Sequence, residues 1–344
     1  MAKELWYWVL ETLGSFWRSL KKGVSTLFGY LGLGVSSIPK SYWLRGLIAL
    51  PLIFFFYIFA SVFFVHRIDD RYNLMDNRQG PLPVGASEAV AITEALVNRE
   101  TRENNWMVND PPFLPGWWID NAPNFQRGMM GAASRFTIEL RDHLGRTRGS
   151  SAEDPDLEKA AGNLTRELDR WIIDFSTSLL PTTPSDTYFR EGADLLGSYN
   201  ARLAAGNAVF DRRADNLMAT LDRIALDLGA SSASLDDYIR ANAGSLGFDT
   251  QSDDLFYRVK GQVYAYSYIM IGLKRDFSQV IQDKDLGPLF DQMLSSLKAA
   301  ASLDPLMVMN GEIHGAAANH LAMMGFYLLR ARTQLREVTS ILLT

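Results

Sequence analysis

The residues best placed to do chemistry lie in one run, Asn310-Gly311-Glu312-Ile313-His314-Gly315-Ala316-Ala317-Ala318-Asn319-His320. A zinc-protease helix carries two histidines four apart, so that both imidazoles face one metal, with a glutamate between them as base. Here His314 and His320 are six apart, which turns them about 120° from each other on a helix. Glu312 precedes His314 by two residues and falls on another face. His66 and His143 are the only other histidines, so a metal would have to draw ligands from afar, and none is expected. The run reads instead as a helix start. Asn310 or Gly311 would cap it, and its small residues would allow close helix approach.

Other motifs fail on similar grounds. Ala243-Gly244-Ser245-Leu246-Gly247 has the outline of a nucleophile elbow, but that motif needs a strand before it, and Leu235 to Ala241 reads as helix. Asp249, Gln251, Asp253 and Asp254 imitate the start of a calcium loop, yet the turn glycine is missing and Lys260 holds the twelfth position. No phosphate loop or dinucleotide fingerprint occurs. The chain has no cysteine, which excludes disulfides, thiolate catalysis and Cys-based metal sites. The acidic pairs Asp236-Asp237 and Asp69-Asp70 read as solvated faces or helix caps. The sequence therefore points away from an enzyme, with no catalytic residue and no cofactor.

A binding surface is a better prospect. Residues 104–124 break the helical rhythm with three tryptophans, four prolines and several Asn and Asp. Long irregular loops are uncommon in compact domains and often functional. Trp and Pro order a loop at low entropic cost, while Asn and Asp can bind its free backbone groups. Trp106, Asn109, Trp117, Trp118, Asp120 and Asn124 are the candidates here for a partner or ligand. Glu312, His314, Asn319 and His320 would join them if the two segments meet. The bland alternative is a plug that closes one end of the domain with its tryptophans buried.

What positions these residues begins at a bilayer. Gly46 to Val65 is an uncharged run of 20 residues, roughly 30 Å long as a helix, which matches a hydrocarbon core. It is too far from the N-terminus, and too bulky at its end, for a cleaved signal peptide. Tyr42 and Trp43 suit the interface. The spacing predicts a transmembrane helix over 42–66, a tail over 1–41, a linker over 67–86 and a bundle over 87–344. The tail carries six basic residues against two acidic ones, whereas the whole chain is −5. The positive-inside rule therefore sets the tail in the cytoplasm and exports an acidic domain, a balance that argues against nucleic acid. Residues 3–24 form an amphipathic pattern, with Leu5, Val9, Leu13, Phe16, Trp17 and Leu20 on one side, suited to lie in the headgroup layer.

The exported part reads as all-α. Apolar residues recur at steps of three and four over Phe256–Val280, Leu157–Phe175, Phe210–Leu228 and Leu321–Leu342, the pattern of long helices in an antiparallel bundle. Tyr264 and Tyr268 flank the first stripe and should keep their hydroxyls near water. Ser252 reads as an N-cap, Pro155 and Gly287-Pro288 as helix starts, and Gly229 to Ser232 as a stop.

Three stretches carry a likeness to known proteins. They are Asn104 to Gly128 (with Pro111-Pro112-Phe113 and Asn124-Phe125-Gln126-Arg127-Gly128), Asp254-Leu255-Phe256-Tyr257, and Asn310-Gly311 through Ala318-Asn319-His320 with Arg330-Ala331-Arg332. In these the chain resembles a family of uncharacterised proteobacterial inner-membrane proteins, a domain-of-unknown-function family. The resemblance implies a bacterial envelope protein with one anchor and supplies no activity. The expected role is a non-enzymatic scaffold or regulator of other envelope proteins or of a homo-oligomer, held to the bilayer through residues 46–65. The alternative is a lipid- or cell-wall-binding module or hydrolase built from loop 104–124 and the 310–320 segment.

Overall fold

The structure is a computed structural model and describes residues 40–64, 68–76, 80–146, 153–174, 178, 180–242, 250–305, 307–311 and 318–343. The chain falls into two units, Met1–Ala60 and Ser61–Thr344. Helix α1 runs Lys40–Phe64 with Pro51 inside it. Its side chains are described over 49–61, where Leu50, Ile53, Phe55 and Phe56 are exposed. That stretch is shorter than a bilayer crossing, and among the described residues no helix is long and apolar enough to cross a membrane. The amphipathic pattern over 3–24 lies outside the described residues.

The second unit is all-helical. Its described helices are α2 Glu88–Asn98, α3 Asn121–Glu139, α4 Pro155–Leu164, α5 Ser185–Ala204, α6 Ala214–Ala241, α7 Thr250–Asp276, α8 Ser278–Asp283, α9 Gly287–Ala301 and α10 His320–Leu342. Among the described residues there is no strand, only one isolated antiparallel bridge between Asn310 and Asn319.

Helix α7 is the axis of this unit. It packs on α3, α2 and α9, while α6 and α10 pair on one side and α4 and α5 on the other. From Phe256 to Leu273 nearly every side chain is buried, the mark of a helix enclosed by neighbours rather than lying on a surface. Its closest neighbour is α3. A Cβ built on Gly128 would collide with the carbonyl oxygen of Arg258, and one on Gly261 with that of Phe125. The two backbones therefore touch where only glycine fits. Further along, a Cβ on Gly272 would lie 2.5 Å from Ala89 Cα on α2. There Asp276 accepts from Ser87 Oγ at 2.7 Å, Glu88 N at 2.8 Å and Ala89 N at 3.0 Å. The end of α7 thus caps the start of α2, whose first N–H groups need acceptors.

Several boundaries differ from the sequence reading. The stripe over Leu157–Phe175 is not one helix, because α4 stops at Leu164. The chain beyond is held by the start of α5 instead: Ser185 N donates to Arg170 O at 3.0 Å and Thr182 N to Ile172 O at 2.7 Å. Gly229 to Ser232 does not end a helix, since α6 continues to Ala241. Gly229 serves packing there, as a Cβ on it would sit 2.9 Å from Arg332 Cζ. Ser252 lies buried in the first turn of α7 rather than at its cap. Asp154 and Pro155 open α4 as expected, with Asp154 Oδ1 accepting from Asp156 N at 3.0 Å.

The stretch read as a linker is docked over residues 70–74. Asp70 pairs with the buried Lys260 at 2.7 Å. Tyr72 stacks on Tyr268 with centroids 5.1 Å apart and shares a 2.7 Å hydrogen bond with Ser267. Tyr264 donates to Arg71 O at 2.7 Å, and Leu74 N donates to Tyr268 at 3.0 Å. The two tyrosine hydroxyls are thus spent on this strap, not on water, and Asp70 is an ion-pair partner, not a solvated surface acid.

Alanine at Gly128 or Gly261 is expected to destabilise the protein by about 3 kcal/mol or more, because backbone must move. Alanine at Gly131, whose Cβ would meet nothing within 4 Å, is expected to be neutral or to stabilise by about 0.5–1 kcal/mol. Thermal or urea unfolding of the three variants measures the contrast.

Candidate functional site

The irregular loop begins where α2 loosens into a π turn, Arg99–Glu103. Asn105 then takes φ 61°, a left-handed conformation that asparagine tolerates better than most residues. Gln126 on α3 fixes this bend. Its Oε1 accepts from Met107 N at 2.9 Å, and its Nε2 donates to Asn105 O at 2.8 Å. Glu100 is buried beside it and accepts from Arg99 Nε at 2.9 Å. Burial pushes the Arg99 guanidinium down, but Glu100, Tyr264 and Asp69 outweigh it and the net shift is upward, so the charge is retained inside.

The loop is half plug and half display. Trp106 is buried, donates Nε1–H to Leu168 O at 2.9 Å and sits edge-on to Phe189. Asn109 is buried and donates to Arg170 O at 3.0 Å. By contrast Phe113, Trp117 and Trp118 are 58%, 59% and 56% exposed. They are not loose: Trp118 donates to Pro112 O at 2.7 Å, Gly116 N donates to Asp110 at 3.0 Å, and Phe113 packs edge-on to Trp171. Ile172, Ile173 and Leu180 are also exposed.

The second predicted segment has a separate set of partners. Asn319, not Asn310 or Gly311, caps α10: its Oδ1 accepts from Ala322 N at 2.8 Å. Its amide donates to Gly311 O at 2.6 Å and Asn310 Oδ1 at 3.0 Å. His320 Nδ1 accepts from Met309 N at 3.0 Å, and burial lowers its pKa. Glu312 and His314 lie outside the described residues. Beyond its internal bonds, loop 104–118 bonds residues 99–100, 168–170 and Gln126, whereas Asn319 and His320 bond residues 309–323. Among the described residues no hydrogen bond joins the two segments.

Asp120 and Asn124 meet a different group, the first turn of α7. Asn124 donates to Asp254 Oδ1 at 2.7 Å. Burial, then the charges of Asp120 and Asp254, push the Asp253 carboxyl up to about 6. Burial, then Asp120 through its charge and a shared hydrogen bond, pushes Asp254 up to about 6 as well, against Arg258 and Arg127. Carboxyls shifted this far are candidates for proton transfer, yet among the described residues no His, Cys, Asp and Glu group could hold a metal. Beside this crossing lies a cavity of about 240 Å³ lined by Arg127, Arg258, Ser231, Ser234 and Gln262, by the apolar Leu255 and Val259, and by neighbouring glycines.

A family model described as "Uncharacterized protein conserved in bacteria (DUF2333)" matches residues 56–246 and 247–344. The chain belongs to this family. No curated protein and no solved structure matches it. In this DUF2333 chain, Asn124 to Gly128 and Asp254 to Tyr257, which carried the resemblance, are the two sides of the α3–α7 crossing. Sequence reading dismissed Asp253 and Asp254 as a poor calcium loop and missed Arg127 and Arg258 altogether. A hint was available: Gly128 and Gly131 stand three apart in α3 with arginine beside them.

Raised carboxyls bind protons more tightly folded than unfolded, so their contribution to stability falls as pH rises from about 4 to about 6. Asp253→Asn is therefore expected to raise the melting temperature at pH 7, with the gain shrinking as pH drops towards 4. Melting curves of both proteins across that range check it.

Proposed function

We propose that this chain is a single-pass inner-membrane protein whose helical body stands in the periplasm and scaffolds other envelope proteins without catalysing a reaction. The apolar run 46–65 would cross the bilayer, the basic tail would stay in the cytoplasm, and an amphipathic segment over 3–24 would lie on the lipid surface. Support for the anchor is the 25-residue helix Lys40–Phe64 and its exposed apolar side chains. Support for the orientation is the charge asymmetry.

The observation that carries the scaffold reading is the trio Phe113, Trp117 and Trp118. Each is more than half exposed on a loop pinned by its own hydrogen bonds. Large aromatics held rigid at a surface lose little entropy on binding and dominate protein interfaces. The intended occupant is another protein with a complementary apolar pocket. The alternative, a lipid- or cell-wall-binding module or hydrolase formed by loop 104–124 and the 310–320 segment, has less support because Asn319 already caps α10 and His320 Nδ1 already accepts from Met309 N.

A photo-reactive phenylalanine analogue at position 117 or 118 of the full chain, in intact cells, is expected to capture one discrete protein neighbour. Trp117→Ala, which keeps the Trp118–Pro112 bond, should sharply reduce that neighbour's co-purification without lowering the melting temperature. Capture of lipid alone, or of nothing, would overturn the reading. The orientation is checked separately: the chain has no cysteine, so Thr344→Cys should react with a membrane-impermeant maleimide added from the periplasmic side.

A further inference from the structure

The cavity beside the α3–α7 crossing carries features that the scaffold reading does not use. Its lining brings together Arg127 from α3, Arg258 from α7, Ser231 and Ser234 from α6, and Gln262 from α7. We propose that this cavity binds a phosphate group, presented either by a small phosphorylated molecule or by a phospholipid headgroup.

Charge is the first reason. Arg127 is half-buried, and two guanidiniums line one small recess of an acidic protein. Burial, and then the neighbouring charge of Arg258, lower the pKa of Arg127 against the opposing pull of Asp169, Asp254 and Asp120. Those three acids do not line the cavity. An anion seated between the two arginines would relieve their repulsion, and a planar guanidinium matches an oxyanion with paired N–H donors.

Donor count is the second reason. Ser231 Oγ bonds Gln262 Oε1, so the carbonyl end of Gln262 is taken and its NH2 donors are what it still offers. Ser234 gives its own proton to Ala230 O at 3.0 Å and Arg127 gives one Nη1 proton to Asn124 Oδ1 at 3.4 Å, which leaves Arg258, the remaining donors of Arg127 and the amide as the binding groups. Size is the third. About 240 Å³ is smaller than the sites that enclose drug-sized ligands, so the recess suits a headgroup rather than a nucleotide. Gly128 and Gly131 form its α3 wall. A Cβ on Gly131 would meet nothing within 4 Å, so this edge stays open for entry.

The test uses full-length protein in a neutral detergent, followed by isothermal calorimetry. One arm adds sn-glycerol 3-phosphate; the other adds short-chain phosphatidylglycerol below its micelle concentration. Saturable binding in either arm, weakened at least about tenfold by Arg258→Gln, is expected. Arg258 is exposed, so an unchanged melting temperature should accompany the loss. Arg240→Gln, an exposed arginine away from the lining, should leave affinity unchanged. Binding in the first arm assigns a free phosphorylated molecule, and binding only in the second assigns a lipid headgroup. No binding in either arm, or equal affinity for wild type and Arg258→Gln, overturns the proposal. Neither result bears on the aromatic loop, whose partner capture is read in another assay.

Discussion

The contact between the backbones of α3 and α7 sets the rest of the body. With Gly128 against Arg258 and Gly261 against Phe125, the two helices touch without side chains between them. Such close approach brings polar residues on either side of the crossing within bonding distance. There Asn124 reaches Asp254, and burial, then the charge of Asp120, pushes the pKa of Asp253 and Asp254 up. Next to them Arg127, which also reaches Asn124, and Arg258 line a cavity. A wider crossing with alanine or leucine at these positions would separate both groups. The same residues that make the contact tight therefore make the surrounding chemistry unusual.

Around that contact the interior is polar for a helical core. Lys260 is buried, and so are Arg99, Glu100, Gln126 and Asp276. Each has a partner, as most buried polar groups do: Asp70 for Lys260, Tyr264 for Arg99 Nη1, the start of α2 for Asp276, while Arg99 Nη2 is left with an ion pair to Glu100 and no hydrogen bond. Several of these bonds tie the irregular pieces, the strap at 70–74 and the bend at 104–107, to regular helices. The polar core thus acts as a set of clips. Apolar packing builds the helices' faces, and the clips fix where the connecting chain must lie.

Sequence pattern revealed the apolar part well and the polar part poorly. The stripe Leu321, Met324, Leu328, Ala331, Leu335, Val338, Leu342 is buried throughout, because a helix with one wet face keeps a strict three-four rhythm. Helix α7 is wet on almost no side, so the hydroxyls of Tyr264 and Tyr268, expected near water, are enclosed instead. Their burial depends on partners far away in the chain, which spacing cannot show. The same holds for Asp253 and Asp254, whose environment comes from Asp120. Loop 104–124 was visible as an oddity, but which tryptophan faced inward was decided by residues 168–189. Gly229 misled for a simpler reason: a glycine that admits Arg332 looks, in sequence, like one that ends a helix.

The strap at 70–74 has a consequence for how the protein is made. Tyr72 and its partner Ser267 are 195 residues apart. At ribosomal speeds that separation amounts to roughly 10–40 s during which the early segments exist without their central support. Asp70 lacks its Lys260 partner, and Arg99 and the start of α2 lack their Tyr264 and Asp276 partners, until α7 emerges. Helix α3 ends at Glu139 and α7 begins at Thr250, so the α3 face that meets α7 waits for more than a hundred residues to be added. Shielding of nascent chain over that interval is a demand written into the topology itself.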